Sequence, residues 1–348
     1  MEPTFILNEK DFIWFTGVNH SNDDNSEFDK IYKRSWRKAE SSNIMNYKVD
    51  EEILKTKVLP GYFKLVAQFN PMRVMNRRKP EEIVSIKQPF DSQKFNFTQI
   101  HDGEILFEIF LKCGSENEEN QLTCTVVVNS APITPFHGLL IPARFNCRPQ
   151  ILNVDGIRIA IAIVLASKTP ALKVAFNSLG GMASVNHYHF HIYYLHHPLF
   201  IETAVCEHLV GPLYAFKDLY APGFVFQLDR SDIGTTAKNA IILSNYLLEK
   251  EICHNVMITR GIPAQQEEQR ELPVYDTVRV CFWLRKPSFG IKEIIGFAAA
   301  VCELSGHIPV YDDETWENLT EEEVVRSIKD VCLESYNKHL EDIKQLFS

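Results

Sequence analysis

The spacing of apolar positions divides the chain into elements before any chemistry is considered. Ser26 can cap a helix, and behind it Phe28, Ile31, Tyr32 and Trp36 recur at helical intervals. Residues 21–25 read as an exposed loop and the polar residues 40–50 as a linker. Gly61 to Phe69 alternates like a strand, as do 104–112 and 121–129, with an acidic loop at 115–120 between the last two. Ala131 to Pro142 predicts a turn entering a short buried strand, 154–167 a helix, and Leu172 to Phe176 a further strand. Next come Gly180-Gly181, where a tight turn fits, and then His187-Tyr188-His189-Phe190-His191-Ile192, with a period of two. A strand with that period carries its three imidazoles in one row and turns Tyr188, Phe190 and Ile192 to the core.

A similar order then repeats weakly. Residues 235–251 predict an amphipathic helix, 252–260 and 277–285 strands, 291–304 a helix and 305–310 a turn. The repeat has no row of histidines and reads as a degenerate second half. Thr320 and Glu323 form a capping box at the head of a final helix. Strands of antiparallel type interleaved with helices predict an α+β fold.

Composition narrows the function classes. The 348 residues are 45% hydrophobic and 23% charged, as in a globular protein with a sizeable core. A formal charge of −9 argues against broad nucleic-acid binding, although a local basic pocket can still take a small anion. The start lacks the basic and apolar stretches of a signal peptide, and no apolar run is long enough to span a membrane. The eight cysteines are scattered without a Cys-x-x-Cys pair, which predicts reduced thiols and a cytoplasmic protein.

Two chemistries suit the histidine row. Zinc accepts imidazole, but positions i and i+4 of a strand lie about 13 Å apart and no carboxylate lies in the stretch, so no metal is expected. Neutral imidazole is also a nucleophile able to attack phosphorus and carry the transferred group. His189 fits that role, with His187 and His191 flanking it as donors. Ser184, Asn186 and the backbone N–H groups of the Gly180-Gly181 turn offer further donors. A solvated strand face is the bland alternative.

Asn177 through Gly180-Gly181 to His187-x-His189-x-His191 resembles the histidine-triad motif of nucleotidyl transferases and hydrolases. Further segments are similar to the GDP-D-glucose phosphorylases of animals and, less closely, to plant GDP-L-galactose phosphorylases. These are the run ending Arg77-Arg78, Gln88-Pro89-Phe90-Asp91 to Lys94-Phe95-Asn96-Phe97, Ile258 to Gly261, Ser288 to Lys292, and Cys302 to His307. The likeness covers residues 58 to 335. It implies an N-terminal extension (1–57), a first histidine-triad-like half (58–205), a degenerate half (206–315) and a C-terminal helix (316–348).

The resemblance also implies that His189 takes a guanylyl group from GDP-D-glucose and passes it to phosphate, with His187, His191 and His137 in support. The family carries glycine before the upstream histidine, where this chain has Phe136. Asn177, Gly180, Gly181, Ser184 and Asn186 are implied nucleotide contacts. Arg73, Arg77, Arg78 and Lys94 are candidates for phosphate or guanine. No cofactor, metal, nucleic acid, membrane or protein partner is implied. The alternatives are another GDP-hexose such as GDP-L-galactose, a hydrolase releasing GMP, and a nucleotide-binding protein without activity.

Overall fold

A computed structural model describes residues 4–15, 26–49, 54–78, 81–112, 121–228, 232–265, 274–290 and 296–348. The expected loops at 21–25 and 115–120 lie outside the described residues. In chain order the first elements are β1 (Thr4–Asn8), α1 (Glu27–Ser41), β2 (Thr56–Val58), β3 (Val66–Phe69) and α2 (Pro71–Asn76). Then follow β4 (Ile105–Lys112), β5 (Gln121–Val128), β6 (Gly138–Pro142), α3 (Val154–Ala166), β7 (Leu172–Asn177), β8 (Phe190–Tyr194) and α4 (Phe200–Thr203). The remainder is β9 (Cys206–Val210), β10 (Leu213–Phe216), β11 (Phe224–Gln227), α5 (Ile233–Glu249), β12 (Cys253–Gly261) and β13 (Thr277–Arg285). It ends with α6 (Val301–Ser305), β14 (His307–Val310), α7 (Asp313–Asn318) and α8 (Glu321–Gln345).

Eleven strands form one sheet in the order β1-β4-β5-β6-β8-β7-β12-β13-β11-β10-β9, antiparallel except for the β1–β4 edge. The predicted two halves are visible in this order. β4-β5-β6-β8-β7 and β9-β10-β11-β13-β12 are each three strands, a helix (α3 or α5) and two strands, joined where β7 pairs with β12. Across that seam run His191, Ala175, Met257 and Cys281 in register, so a thiol occupies the position matching an imidazole. A second sheet, β14-β3-β2, is small.

Alternation along the strands sends side chains into two cores. Val174, Phe176, Phe190, Ile192, Val280 and Phe282 pack against α3 and α5. Ala175, Tyr193, Met257, Cys281 and Trp283 pack beneath β3, α6, β14 and α8. α3 is apolar on nearly all sides, so it is buried throughout rather than amphipathic.

Several predicted elements change extent. The strand expected at 61–69 begins only at Val66. Before it, Lys64 has a positive φ of 53° and Glu321 accepts the N–H of Phe63 at 2.9 Å, so the chain turns there. The 40–50 segment is not a solvated linker, because Met45, Tyr47 and Val49 are buried. Of the helix expected at 291–304, only the part beginning at Val301 forms; 296–300 are not helical, and 291–295 lie outside the described residues. The histidine strand begins at Phe190, so His187 and His189 stand on the irregular approach to it.

α1 is docked rather than appended. The Ser26 hydroxyl accepts from Asp29 N, and the buried Asp29 carboxylate accepts from Tyr194 and Ser167 hydroxyls at 2.7 Å. Trp36 Nε1 donates to the His137 carbonyl and the Tyr32 hydroxyl to the Phe136 carbonyl, both at 3.0 Å.

Candidate active site

A cleft lies beside the N-terminal end of β8. Its walls include His189, His191, Asn177, Ser184, Arg73, Arg77 and Arg78 from the sequence-predicted set. His187, His137, Gly180, Gly181, Asn186 and Lys94 do not line it.

A hydrogen bond and burial together fix the state of the central imidazole. His189 Nδ1 is 2.7 Å from the His187 carbonyl, so Nδ1 carries the proton and Nε2 keeps its lone pair. Burial holds its pKa down at about 4, so the ring is neutral near pH 7. The peptide around it is held by Gln150, a buried side chain that sequence reading did not single out. Gln150 Oε1 accepts from His189 N at 2.8 Å, and its Nε2 donates to the carbonyls of His189 and Asn177, each at 3.0 Å.

His191 is set by a relay. Ile133 N donates to His137 Nδ1 at 2.9 Å, so the His137 proton sits on Nε2 and points to His191 Nδ1 at 3.0 Å. That leaves His191 protonated on Nε2, as a donor. Burial, and then neighbouring positive charge, hold both rings well below the ordinary histidine range. The loop delivering His137 includes Phe136 at φ 59°, the left-handed region where a glycine would be unstrained. The strain, about 1–2 kcal/mol for a non-glycine residue, is opposed by packing of Phe136 on Trp36 (5.1 Å) and beneath Arg37 (4.7 Å).

His187 acts as a strut in this geometry. Its Nδ1 accepts from Phe97 N at 3.0 Å, its ring lies between Phe90 and Phe97, and it bonds the Arg144 backbone. Asn186 ties together Gln88, Pro89 and Gln150. Lys94, exposed, pairs with Glu81 at 3.0 Å, whose hydrogen bond raises its pKa. Gly180, at φ 69°, leaves no room for a side chain against Cys253 and Phe289. Asn255 Nδ2 donates to the Gly181 carbonyl and to Asn177 Oδ1, both at 2.6 Å, and locks the turn to β12.

The cleft has two unlike ends. Near His189 it is apolar: Phe97 meets the imidazole at 5.0 Å, and Phe95, Leu139 and Val185 continue the wall. Arg78 lies 4.4 Å over Phe95 and pairs with Glu104 at 2.7 Å. The other end holds Arg73, Arg77, Tyr311, Cys302 and Glu303. Glu303 is 2% exposed; burial pushes its carboxyl up to about 8, against the pull of backbone N–H groups and of Arg73 and Arg285. Tyr311 and Glu303 were missed because each reads in sequence as a lone polar residue beside an apolar run. Among the described residues no cluster of His, Cys, Asp and Glu is arranged to hold a metal, and no helix is long and apolar enough to cross a membrane.

The buried histidines make stability depend on pH. His187, His189 and His254 are held near 4 and His307 near 3, with His137 and His191 also depressed. The unfolded chain therefore binds more protons below about 6.5. The stability is complete above that pH and drains as pH falls toward 4, by up to about 1.4 kcal/mol per unit for each ring. Glu303 acts oppositely: its contribution is lost as pH rises from about 4.5 toward 8, but it is a single group. The melting temperature is expected to be lower at pH 5 than at pH 7 by about 5–10 °C. Equal values by calorimetry would contradict this assignment of neutral buried rings.

Comparison with known proteins agrees with this architecture. Residues 27–193 match the family model described as GDPGP1-like, N-terminal domain, and 219–347 match GDPGP1-like, C-terminal domain. GDP-D-glucose phosphorylase 1 of Danio rerio is 38% identical, with 92% of this chain and 91% of that protein covered. The Homo sapiens enzyme of the same name is 38% identical over 88% and 80%. GDP-L-galactose phosphorylase 2 of Arabidopsis thaliana is more distant, at 26% over 82% and 69%. Among solved structures, yeast Ap4A phosphorylase Apa2 in complex with AMP superposes with a TM-score of 0.58 at 15% identity, covering 88% of this chain and 96% of that one. The two matched domains, the level of identity and the shared fold together make this chain a member of the GDPGP1-like family, that of the GDP-D-glucose phosphorylases.

Proposed function

We propose that this chain is a GDP-D-glucose phosphorylase working through a guanylyl-histidine. The observation that carries the reading is the His189 imidazole, with its Nδ1 proton given to the His187 carbonyl and its ring in the wall of an arginine-lined cleft. His189 Nε2 attacks the α-phosphorus of GDP-D-glucose; the bond to the bridging oxygen breaks and glucose 1-phosphate leaves with that electron pair. A phosphate oxygen then attacks the same phosphorus, the P–N bond breaks, and GDP departs. The His187 carbonyl stabilises the imidazolium character that develops on the guanylylated ring. His191 Nε2–H donates to phosphate oxygen, and Arg73 and Arg77 supply positive charge to the diphosphate. Guanine fits the apolar end, where Arg78 can address its O6 and N7. The higher identity to the GDP-D-glucose enzymes than to the plant GDP-L-galactose enzymes favours glucose as the hexose. The halves 58–205 and 206–315 serve as one catalytic unit in a cytoplasmic protein.

The test is GDP-D-glucose labelled at the α-phosphate, supplied without phosphate. Label is expected on the polypeptide, one equivalent at most, and is expected to leave as GDP when phosphate is added. Unlabelled protein would sink the covalent route, and release as GMP would make the enzyme a hydrolase.

A further inference from the structure

The established parts of a histidine-mediated phosphorolysis do not use Glu303, although it stands in the wall of the cleft. Its Oε2 accepts from Ala300 N at 3.0 Å, capping α6. The carboxyl is held by the backbone N–H groups of Ala300 and of Glu303 itself, lines the cleft, and is 2% exposed. Two N–H donors fill only part of the bonding capacity of a carboxyl and leave the O–H of its neutral form without an acceptor among them, so a ligand that brings one is favoured there. α6 is tied to the catalytic strand, because Val301 N donates to Asn177 Oδ1 at 3.1 Å. The carboxyl is therefore fixed relative to His189.

The arrangement of the cleft says what that ligand is. In-line displacement puts the attacking imidazole and the leaving oxygen on opposite sides of the α-phosphorus. The base belongs on the Phe95 and Phe97 side, next to His189, so the departing part of the substrate extends toward Arg73, Tyr311 and Glu303. Arginines serve the phosphates; a carboxyl does not. What remains beyond the phosphates is a ring of hydroxyl groups, each both donor and acceptor.

We infer that Glu303 binds the hexose hydroxyls of the nucleotide sugar and sets which hexose is accepted. The inference rests on the phosphorylase reading above. Held neutral by burial, the carboxyl can donate to one hydroxyl and accept from its neighbour without placing a charge against the β-phosphate. A buried site built around hydroxyl groups discriminates strongly against substrates lacking them, because its own polar atoms are then left unpaired.

Glu303→Gln keeps the shape and an acceptor for Ala300 N, and tests the inference with two reactions of the whole protein. One is phosphorolysis of GDP-D-glucose. The other is exchange of labelled phosphate into GDP, which uses His189 and the same arginines but contains no hexose. The ratio of kcat/KM for phosphorolysis to the exchange rate is expected to fall about 10- to 100-fold in E303Q. GDP-linked deoxyglucose analogues, tried on the parent enzyme, are expected to include at least one with a loss of similar size, and E303Q is expected to flatten that difference. An unchanged ratio, whether both rates fall or neither does, overturns the inference while the parent's exchange leaves the phosphorylase reading intact. Should E303Q not fold, a parent enzyme indifferent to every hydroxyl deletion overturns it equally. A parent that catalyses neither reaction overturns the reading beneath it.

Discussion

Replacing His189 by asparagine is expected to lower kcat for GDP-D-glucose phosphorolysis by on the order of 10⁴–10⁶, with little change in folding. The asparagine amide can still donate to the His187 carbonyl, as Nδ1–H does at 2.7 Å, and its backbone N–H can still reach Gln150. What is removed is the lone pair on Nε2. A fall of 10⁴ corresponds to about 5.5 kcal/mol of transition-state stabilisation, more than any single supporting donor is expected to provide. KM is expected to stay within a fewfold, because Arg73, Arg77 and the apolar end are untouched. Kinetics, a melting curve and protein labelling should be measured on one preparation. Turnover close to the parent's, or label still carried by the protein, would exclude His189 as the nucleophile.

Gln150→Leu is expected to have the second-largest effect, through positioning alone. The leucine is close in size but returns none of three hydrogen bonds, leaving His189 N and the carbonyls of His189 and Asn177 without them. Buried groups left unpaired cost about 1–3 kcal/mol each before relaxation, so a loss of about 3–5 kcal/mol in stability is expected by urea denaturation. A nucleophile displaced by even about 1 Å loses near-attack geometry, and kcat is expected to fall about 10²-fold in the folded fraction. Gln150→Glu, which keeps the acceptor for His189 N, should recover part of the stability. Full activity in a folded Gln150→Leu protein would show that the clamp is dispensable.

The sequence made the chemistry more legible than its supports. Alternation at 187–191 and the glycines before it pointed to a nucleophilic histidine, and helical or strand periodicity located α1, α3, β7, β12 and β13 within a few residues. Periodicity misjudged the histidine strand itself, because Asn186 and His187 spend their side chains on Gln88, Pro89 and Phe97 and keep the approach irregular. Gln150 and Asn255 carried no signal: a glutamine after Arg148-Pro149 and an asparagine in an apolar strand acquire meaning only from the peptide groups they meet in space. The same holds for α1. Its pattern foretold a helix, but nothing in it foretold that Trp36 and Tyr32 would hold the loop delivering His137.

The row of His191, Ala175, Met257 and Cys281 bears on how the two halves divide the work. A tandem duplication that kept its sheet could have kept two reaction centres. Here the twin position holds a thiol whose ionisation burial suppresses, on the same core face as Trp283, which stacks on Phe216. Arg279 nearby is spent on the carbonyls of Ile262, Ile201 and Ala204. The imidazoles that line the cleft thus all come from the first half, and the second serves as masonry, supplying through Cys302, Glu303 and Tyr311 the far wall against which its sibling works.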